Sequence, residues 1–204
     1  MNRTLLLTGG SGKFGKIFLR FFASKGWNIV ATSRDKQRID GLLDLLGDCE
    51  GTLLGVSVDF GESDAVDFLI HEITKHNLSI SHLINNARSR ESLAVSHDGT
   101  TLRDKFIQEF EVDVVVPYEL SMKLSRSVGH RLKNIVNVGS MYGEVAPNPT
   151  LYEGSLVESP VQYGVSKAAL HHLTRELAVR LSPEDIRVNC VAFGGVEGRV
   201  DEEF

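Results

Sequence analysis

The stretch Thr8-Gly9-Gly10-Ser11-Gly12-Lys13-Phe14-Gly15 decides the fold of this chain. It follows a short apolar run and precedes an amphipathic segment, so it connects a predicted strand to a predicted helix. Gly10, Gly12 and Gly15 have the spacing G-x-G-x-x-G. Because glycine lacks a Cβ, such a turn lets the backbone approach a pyrophosphate held at the helix N-terminus. The stretch therefore predicts a dinucleotide-binding turn, to which Gly9, Ser11 and Phe14 also belong.

Two other interpretations of this turn are weaker. A glycine turn can join a strand to a helix without binding a ligand. The pair Gly12-Lys13 also occurs in the phosphate-binding loop of nucleoside triphosphatases, but that motif requires Ser or Thr after the lysine and a glycine five residues before Gly12. Phe14 and Leu7 occupy those positions, so we exclude that motif.

The rest of the chain alternates short apolar runs with longer amphipathic segments, which predicts β-α units and a parallel sheet. Right-handed crossovers would wind these units into a doubly wound α/β sheet, the Rossmann fold. The predicted strands are Thr4–Thr8, Asn28–Thr32, Leu54–Asp59, His82–Asn86, Asn134–Val138 and Arg187–Ala192. The predicted helices are Lys13–Lys25, Lys36–Leu46, Ala65–His76, Leu102–Ser127 and Val161–Leu181, and Met141–Pro160 is predicted to be a loop.

Composition limits the class of protein. The 204 residues, 42% of them hydrophobic, predict a single domain over residues 1–204. A net charge of −5 argues against nucleic acid or an anionic membrane as a partner and favours a small molecule. The two cysteines lie far apart and near no metal-ligand cluster, which fits a reducing cytoplasm. The apolar runs are shorter than a membrane helix, and the early first strand leaves no room for a signal peptide.

The second predicted strand ends in Thr32-Ser33-Arg34-Asp35. A dinucleotide domain places an acid here for the ribose hydroxyls, or an arginine for a 2′-phosphate. Arg34 therefore favours NADP over NAD, which remains an alternative. Arg34 could instead be a solvated residue that opens the next helix, and Asp35 could be the N-cap of that helix.

The next two strand ends extend the predicted cofactor site. Asp59 ends the third strand and can accept a hydrogen bond from the adenine amino group, while Asn86 and Ala87 follow the fourth strand and can line the ribose. Each residue is a weak signal alone, because Asp and Asn also cap helices and shape turns. Their shared position at strand ends predicts one cofactor track.

The predicted catalytic group is Ser140 after the fifth strand, together with Tyr163 and Lys167 near the start of the last helix. Tyr163 and Lys167 are four residues apart and share a helix face. A nearby ammonium favours the ionised phenol, which prepares the tyrosine to exchange a proton with a substrate oxygen while a nicotinamide exchanges hydride. Ser140 can hold that oxygen. A Tyr-x-x-x-Lys pair alone is usually an exposed helix face, so its position after a dinucleotide fold carries the prediction.

The chain resembles the short-chain dehydrogenase/reductase family over essentially its whole length. The motifs that carry the resemblance are the glycine turn, Asn85-Asn86-Ala87, Asn137-Val138-Gly139-Ser140, the Tyr163/Lys167 pair and Arg187-Val188-Asn189-Cys190. The resemblance implies a substrate-stabilising serine at Ser140, a catalytic tyrosine at Tyr163 and a ribose-binding lysine at Lys167. It also implies cofactor contacts, which fall on Gly9, Ser11, Gly12, Phe14, Asp59 and Asn86.

Four positions depart from the family pattern. Lys13 replaces the glycine usually found before Phe14, and Arg88 replaces the glycine after Asn-Asn-Ala, which would put a cation near the cofactor or the substrate mouth. Asp113 replaces the helix asparagine of the proton relay; it is either a catalytic group that binds water and the lysine, or helix filler. Phe193 replaces a proline before Gly194-Gly195.

The resemblance also sets expectations for the substrate, the assembly and the chain end. The long loop before Tyr163, with Glu153, resembles that of bacterial members linked to flagellin and surface-sugar modification, and implies a sugar or sugar-nucleotide substrate contacted by Glu153, Arg88 and Arg90. Helices Leu102–Ser127 and Val161–Leu181 commonly form a subunit interface, which implies a homodimer or homotetramer. Family members continue beyond the position of Phe204, so we expect either a C-terminal part that is missing from the sequence, which we favour, or a shortened protein with an open site.

Two classes of function remain open from the sequence. One is an active oxidoreductase that interconverts a carbonyl and an alcohol with NADP(H) or NAD(H). The other is a catalytically impaired dinucleotide-binding regulatory or scaffold protein, suggested by the four departures and the chain end. The complete Ser140, Tyr163 and Lys167 set favours the enzyme, because a binding module has no need of a tyrosine activated by a lysine.

Overall fold

The computed structural model describes residues 3–46, 49–127, 131–148 and 160–196, and these residues form a six-stranded sheet with helices packed against it. All neighbouring strands are parallel, in the order β3-β2-β1-β4-β5-β6. The strands are β1 Thr4–Leu7, β2 Asn28–Ser33, β3 Leu53–Ser57, β4 His82–Asn85, β5 Asn134–Ser140 and β6 Arg187–Phe193. The helices are α1 Lys13–Ala23, α2 Lys36–Leu46, α3 Ala65–Lys75, α4 Arg103–Phe110, α5 Val116–Arg126 and α6 Val161–Leu181. The predicted doubly wound α/β fold is confirmed.

The period-two alternation of side chains in β1 divides the core into two layers. Leu6 packs on one face with residues of α3, α5 and α6. Leu5 and Leu7 point to the other face, where they pack with residues of α1 and α2. Burial on both faces explains why this strand is a continuous apolar run without polar alternation.

The predicted helix Leu102–Ser127 is wrong as one continuous element. The structure divides it into α4, a π-helical turn at Glu111–Val115, and α5. Pro117, near the start of α5, has no N–H to donate to an α-helical carbonyl one turn earlier, so the chain must change its hydrogen-bonding pattern here. The wider turn contains Asp113, and its side chain is buried.

The strand order creates the crevice in which a ligand can bind. From β1 the chain moves outward through β2 and β3, then returns to β4 on the other side of β1 and continues to β5 and β6. Ligands of doubly wound sheets bind beyond the carboxyl ends of the strands at such a reversal. The ends of β1, β2, β4 and β5 therefore surround one candidate site.

A chain of buried amides holds the site side of the sheet to α6. Asn85 Nδ2 donates to Asn137 Oδ1 at 2.8 Å, and Asn137 Nδ2 donates to Thr174 Oγ1 at 2.9 Å. Asn137 is fully buried, so these bonds are not exchanged for bonds to bulk water. The chain crosses from β4 through β5 to α6 and fixes the positions of the elements that carry the predicted catalytic residues.

We predict that Asn137→Ala lowers the free energy of unfolding by about 1–3 kcal/mol, because it leaves the buried Asn85 amide without its acceptor. Urea denaturation measures the change. Asn134→Ala on the same strand is the matched control. Its Oδ1 accepts from Arg187 Nε at the exposed end of the sheet, so its effect should be within about 0.5 kcal/mol. Equal losses for the two variants would contradict the structural role of the amide chain.

Candidate active site

A cleft of about 1210 Å³ opens at the carboxyl ends of the strands. It brings together residues predicted from distant parts of the sequence. Those that line it are Gly9, Ser11, Gly12, Phe14, Arg34, Asp59, Asn86, Ala87, Ser140, Tyr163 and Lys167. Gly15 and Asp113 do not line the cleft. Each contacts a residue that does: Gly15 packs beneath Gly9, and Asp113 pairs with Lys167.

The glycines of the β1–α1 turn are required by close packing. Gly9 has a φ of +67°, and a Cβ there would lie 2.8 Å from the Cα of Ala87. A Cβ on Gly15 would lie 2.2 Å from the carbonyl oxygen of Gly9, which explains this glycine by packing of α1 beneath the turn. Gly12 is the N-cap of α1 and makes no side-chain capping bond. The turn therefore presents backbone to the cleft.

Asn86 holds this turn to the end of β4. Its Nδ2 donates to the carbonyl oxygens of Thr8 and Gly9 at 2.9 and 3.0 Å. The Thr8 hydroxyl oxygen in turn accepts from the backbone N–H groups of Asn86 and Ala87, both at 2.9 Å. The predicted ribose-lining residues thus also determine the shape of the glycine turn.

Two charged residues follow β2: the Asp35 carboxylate is hydrogen-bonded, and the Arg34 guanidinium is exposed. Asp35 Oδ1 accepts from the backbone N–H of Arg38 at 3.0 Å, which makes it the N-cap of α2, and its Oδ2 lies 3.2 Å from Arg38 Nε. Arg34 lines the cleft and pairs with Glu91 at 3.0 Å, with both side chains well exposed. Of the two interpretations of Asp35, the structure favours the helix cap.

Phe193, which replaces a proline of the family pattern, packs against the glycine turn. Its ring stacks on that of Phe14 with centroids 4.4 Å apart, and both rings line the cleft. Aromatic pairs at this separation stabilise one another beyond their buried area. The sequence offers no signal for this pair, because 179 positions separate the two residues and neither position has a periodic partner.

Lys167 is the buried charge beneath the cleft. Its Nζ donates to the Val138 carbonyl oxygen at 3.1 Å and lies 3.0 Å from Asp113 Oδ2. Asp113 Oδ2 also accepts from the Ser166 hydroxyl at 3.0 Å. Both members of the ion pair are almost fully buried, so each neutralises a charge that would otherwise be very unfavourable there. Asp113 therefore positions the lysine from the side opposite the cleft.

A small cavity lies behind this ion pair. Its volume is about 10 Å³, close to the space that one water molecule needs, and its lining includes Asn85, Asp113 and Lys167. Asn85 Oδ1 is buried and has no hydrogen-bond partner among the described residues. The cavity thus has the polar groups and the size for a single bridging water.

Tyr163 lies between two cations in the cleft. Lys167 Nζ is 5.8 Å from the centroid of its ring, and the Arg88 guanidinium carbon is 4.4 Å from the same centroid. Ser140, on the same cleft, is buried, and its Oγ accepts from the backbone N–H of Tyr142 at 3.2 Å. The three predicted catalytic residues therefore face one space.

Glu109 is a buried acid that the sequence analysis missed. It is fully buried one helical turn before Asp113, and burial, followed by the negative charge of Asp113, raises the pKa of its carboxyl. The Ser92 hydroxyl reaches both Glu109 Oε2 and the Ser89 carbonyl oxygen with a single hydrogen. A protonated Glu109 satisfies both contacts, because it donates to Ser92 and Ser92 donates to Ser89. Its position in a short polar helix, Arg103–Phe110, offered no periodic signal of burial.

The paired histidines of α6 have different environments. His171 is buried, and its Nδ1 lies 2.7 Å from Glu144 Oε1, while His172 is exposed. A Cβ on Gly139 would lie 2.4 Å from His171 Nε2, so the ring fills the space that this glycine leaves. Within the described ranges, no group of three or more potential ligands is arranged to hold a metal ion.

The comparison with known proteins identifies the family. Residues 3–204 match the family described as short chain dehydrogenase. The chain belongs to the short-chain dehydrogenase/reductase family. It is therefore an oxidoreductase of the dehydrogenase/reductase type, as the motifs predicted. In the part of the chain that the structure covers, no helix combines the length and apolar character needed to cross a membrane.

Individual relatives agree with this assignment. The chain is 29% identical to the uncharacterized oxidoreductase YmfI of Bacillus subtilis, over 100% of this chain and 79% of the relative. It is 30% identical to the human mitochondrial dehydrogenase/reductase SDR family member 2, over 100% of this chain and 68% of the relative. A 4-hydroxyisoleucine dehydrogenase complexed with NADH has a TM-score of 0.74 and 26% identity, over 94% of this chain and 72% of that chain. The fold is shared with NAD⁺-bound xylitol dehydrogenase. The TM-score is 0.80 and the identity 23%, over 94% of this chain and 70% of that chain.

We predict that Glu109→Gln changes the pH dependence of stability. The raised pKa of Glu109 means that the folded protein keeps its proton where the unfolded chain, with a pKa near 4.5, loses it. The stabilisation is complete below pH 4.5 and decreases as pH rises through the folded-state pKa. Glutamine mimics the neutral acid and removes this dependence.

Thermal unfolding tests this expectation. It is measured from pH 4.5, the reference pKa of glutamate, over about four pH units to pH 8.5. The stability of Glu109→Gln relative to the natural protein should rise with pH. Glu184→Gln, at an exposed glutamate, is the control and should show a parallel curve. Parallel curves for both variants would show that Glu109 is already ionised in the folded protein.

Proposed function

We propose that the protein is an NADP(H)-preferring oxidoreductase that interconverts a carbonyl and an alcohol, with Ser140, Tyr163 and Lys167 as its catalytic set. The observation that carries this proposal is the buried Lys167 ammonium, which Asp113 and the Val138 carbonyl hold beside Tyr163 in the cleft that Ser140 also lines. A scaffold protein has no evident use for a charge buried next to a tyrosine.

The residues of the cleft fit a nicotinamide dinucleotide. The glycine turn exposes backbone at the N-terminus of α1, where a pyrophosphate is favoured. The described lining has eight basic side chains and three carboxylates, although the whole chain is acidic. The basic residues are Lys13, Lys16, Arg20, Arg34, Arg38, Arg88, Arg90 and Lys167. Gly9, Ser11, Gly12, Phe14, Asp59, Asn86 and Ala87 would complete the contacts to the cofactor, and Gly15 would keep the turn in shape.

The reaction follows from the positions of three side chains. When bound, the nicotinamide supplies or accepts the hydride. Tyr163 donates its phenolic proton to the substrate oxygen during reduction and takes it back during oxidation. Ser140 Oγ accepts from Tyr142 N–H, which leaves its hydroxyl hydrogen able to be donated to the substrate oxygen. Lys167 donates one N–H to the Val138 carbonyl oxygen and forms an ion pair with Asp113, and a remaining N–H can be donated to the ribose.

The preference for NADP rests on the end of β2. Asp35 is engaged by the backbone and side chain of Arg38, which leaves this carboxylate poorly placed to accept from ribose hydroxyls. Arg34 is paired with Glu91 only at the surface, where an ion pair contributes roughly 0–1 kcal/mol. Arg34 can therefore exchange Glu91 for a 2′-phosphate with little loss of free energy.

Other expectations remain predictions. The sugar or sugar-nucleotide substrate rests on the loop with Glu153, which lies outside the described residues, as does Phe204 at the chain end. A homodimer or homotetramer is supported by exposed apolar side chains on the predicted interface helices, among them Val115, Tyr118 and Val165. A single domain over residues 1–204 and a cytoplasmic location complete the proposal.

We predict that Tyr163→Phe lowers turnover by about 10²–10⁴-fold, because it removes the proton donor and retains the ring. Cofactor affinity should be unchanged. NADPH absorbance measures turnover across a panel of aldehydes and ketones, and nicotinamide fluorescence measures binding. Tyr118→Phe, at an exposed tyrosine of α5, is the control and should be fully active. Binding of the cofactor without turnover of any carbonyl by the natural protein would support the scaffold function instead.

We predict that Arg34→Ala weakens NADPH binding by roughly 10- to 100-fold, as expected for loss of about 1.5–3 kcal/mol from a hydrogen bond to a charged group. NADH has no 2′-phosphate, so its affinity should be unaffected. Isothermal titration at fixed salt measures both affinities. Lys36→Ala is the control. It removes a nearby positive charge, but Lys36 pairs with Asp40 and does not line the cleft. An equal loss in Lys36→Ala, or tighter binding of NADH by the natural protein, would refute the assignment.

A further inference from the structure

Arg88 is a cation in the cleft that forms no ion pair with any carboxylate among the described residues. It is half-buried at the end of β4 and lines the cleft. Its Nε is buried and has no hydrogen-bond partner among the described residues. By contrast, the guanidinium groups of Arg34 and Arg38, which line the same cleft, are paired with Glu91 and Asp35. A buried guanidinium donor without an acceptor is unfavourable, which points to a ligand that supplies one.

Glu109 is a buried acid that feels the charge of Arg88, but Arg88 Nε and Glu109 Oε1 both lack a hydrogen-bond partner among the described residues. Glu109 is close enough for the Arg88 charge to act on its carboxyl, but burial and Asp113 act more strongly and raise the pKa of that carboxyl. Glu109 Oε2 is engaged by Ser92. The Arg88 side chain therefore retains its full charge in the cleft. Since no described carboxylate pairs with Arg88, an anionic group of a ligand that enters the cleft can match this charge.

The positive charge of Arg88 lies at the end of the cleft that contains Tyr163, where the substrate would bind. The guanidinium lies over the ring of Tyr163, 4.4 Å from its centroid, and stacking leaves the in-plane N–H donors free for another partner. A substrate oxygen that receives the Tyr163 proton must lie close to the same ring. The remaining basic residues of the glycine turn, α1 and the β2 end, among them Lys16, Arg20 and Arg34, are placed for the cofactor phosphates.

We propose that Arg88 binds an anionic oxygen group of the substrate, a carboxylate or a phosphate carried near the reacting carbonyl carbon. This inference rests on the proposed function, since it names the substrate class of the same site. Two in-plane N–H groups of a guanidinium match two oxygens of either anion. Arg88 acts as a specificity-determining residue: it selects charged carbonyl compounds over their neutral analogues, and Tyr163 remains the proton donor.

Matched pairs of carbonyl compounds test the proposal in the NADPH complex of the full chain. The pairs are phenylglyoxylate with its methyl ester, and dihydroxyacetone phosphate with dihydroxyacetone. Binding is measured by nicotinamide fluorescence and turnover by NADPH absorbance. At least one charged member should bind about tenfold or more tightly than its neutral partner, as for a charge-assisted bidentate contact. The pair that responds distinguishes a carboxylate from a phosphate.

Variants then assign the preference to one side chain. Arg88→Gln should abolish the difference between charged and neutral members, mainly through KM, and Arg88→Lys should restore part of it. Arg103→Gln removes an exposed charge that does not line the cleft and should leave the difference intact. Glu109→Gln should also leave it intact, whereas a several-fold gain in anion affinity would show that Glu109 already neutralises Arg88.

Three results would overturn the proposal: equal binding of charged and neutral members by the natural protein, binding of neither, or a loss of NADPH affinity in Arg88→Gln that accounts for the whole effect. The last result would place Arg88 on the cofactor. If neither NADPH nor NADH binds, the proposed function fails. Thermal stabilisation of the free protein by phenylglyoxylate, and its loss in Arg88→Gln, still decides whether Arg88 binds anions.

Discussion

The architecture of the site depends on how one buried ammonium is neutralised. Lys167 enters the interior from α6 and is held there by the Val138 carbonyl of β5 and by the Asp113 carboxylate of the π-helical turn. Removing either charge of such a pair strands the other in a medium where it is poorly solvated. The strand, the wide turn and the helix are therefore tied together at the point where the chemistry takes place. The buried amides of Asn85 and Asn137 reinforce the same junction.

The departures from the family pattern form a consistent electrostatic arrangement. Asp113, in place of an asparagine, forms an ion pair with Lys167, and after burial it is the next cause that raises the pKa of Glu109 one turn earlier. Among the described residues no carboxylate forms an ion pair with Arg88, and its guanidinium lies over the Tyr163 ring in the cleft. Two of the departures, Asp113 and Arg88, thus set the charges around Lys167 and Tyr163.

Similarity to known proteins determines the class of this protein, whereas its substrate depends on the side chains around the proton donor. Membership of the short-chain dehydrogenase/reductase family makes the chain an oxidoreductase. Its relatives carry names that refer to different substrates. A shared fold and a shared proton donor do not select a substrate. The side chains around the donor do, and in this chain the most distinctive of them is Arg88.

The parallel sheet, the glycine turn and the residue types at each strand end were predictable from the order of amino acids alone. These features follow from local periodicity and from the steric demand for glycine, both of which are visible along the chain. Only the tertiary structure decided what each polar group is paired with. It made Asp35 a helix cap, buried Glu109, stacked Phe193 on Phe14 and broke the long helix around Asp113. The burial of Glu109 and the stacking of Phe193 on Phe14 depend on residues far away in the chain, which no window of sequence contains. The cap at Asp35 and the break before Pro117 are local, but the sequence is compatible with another structure at each position.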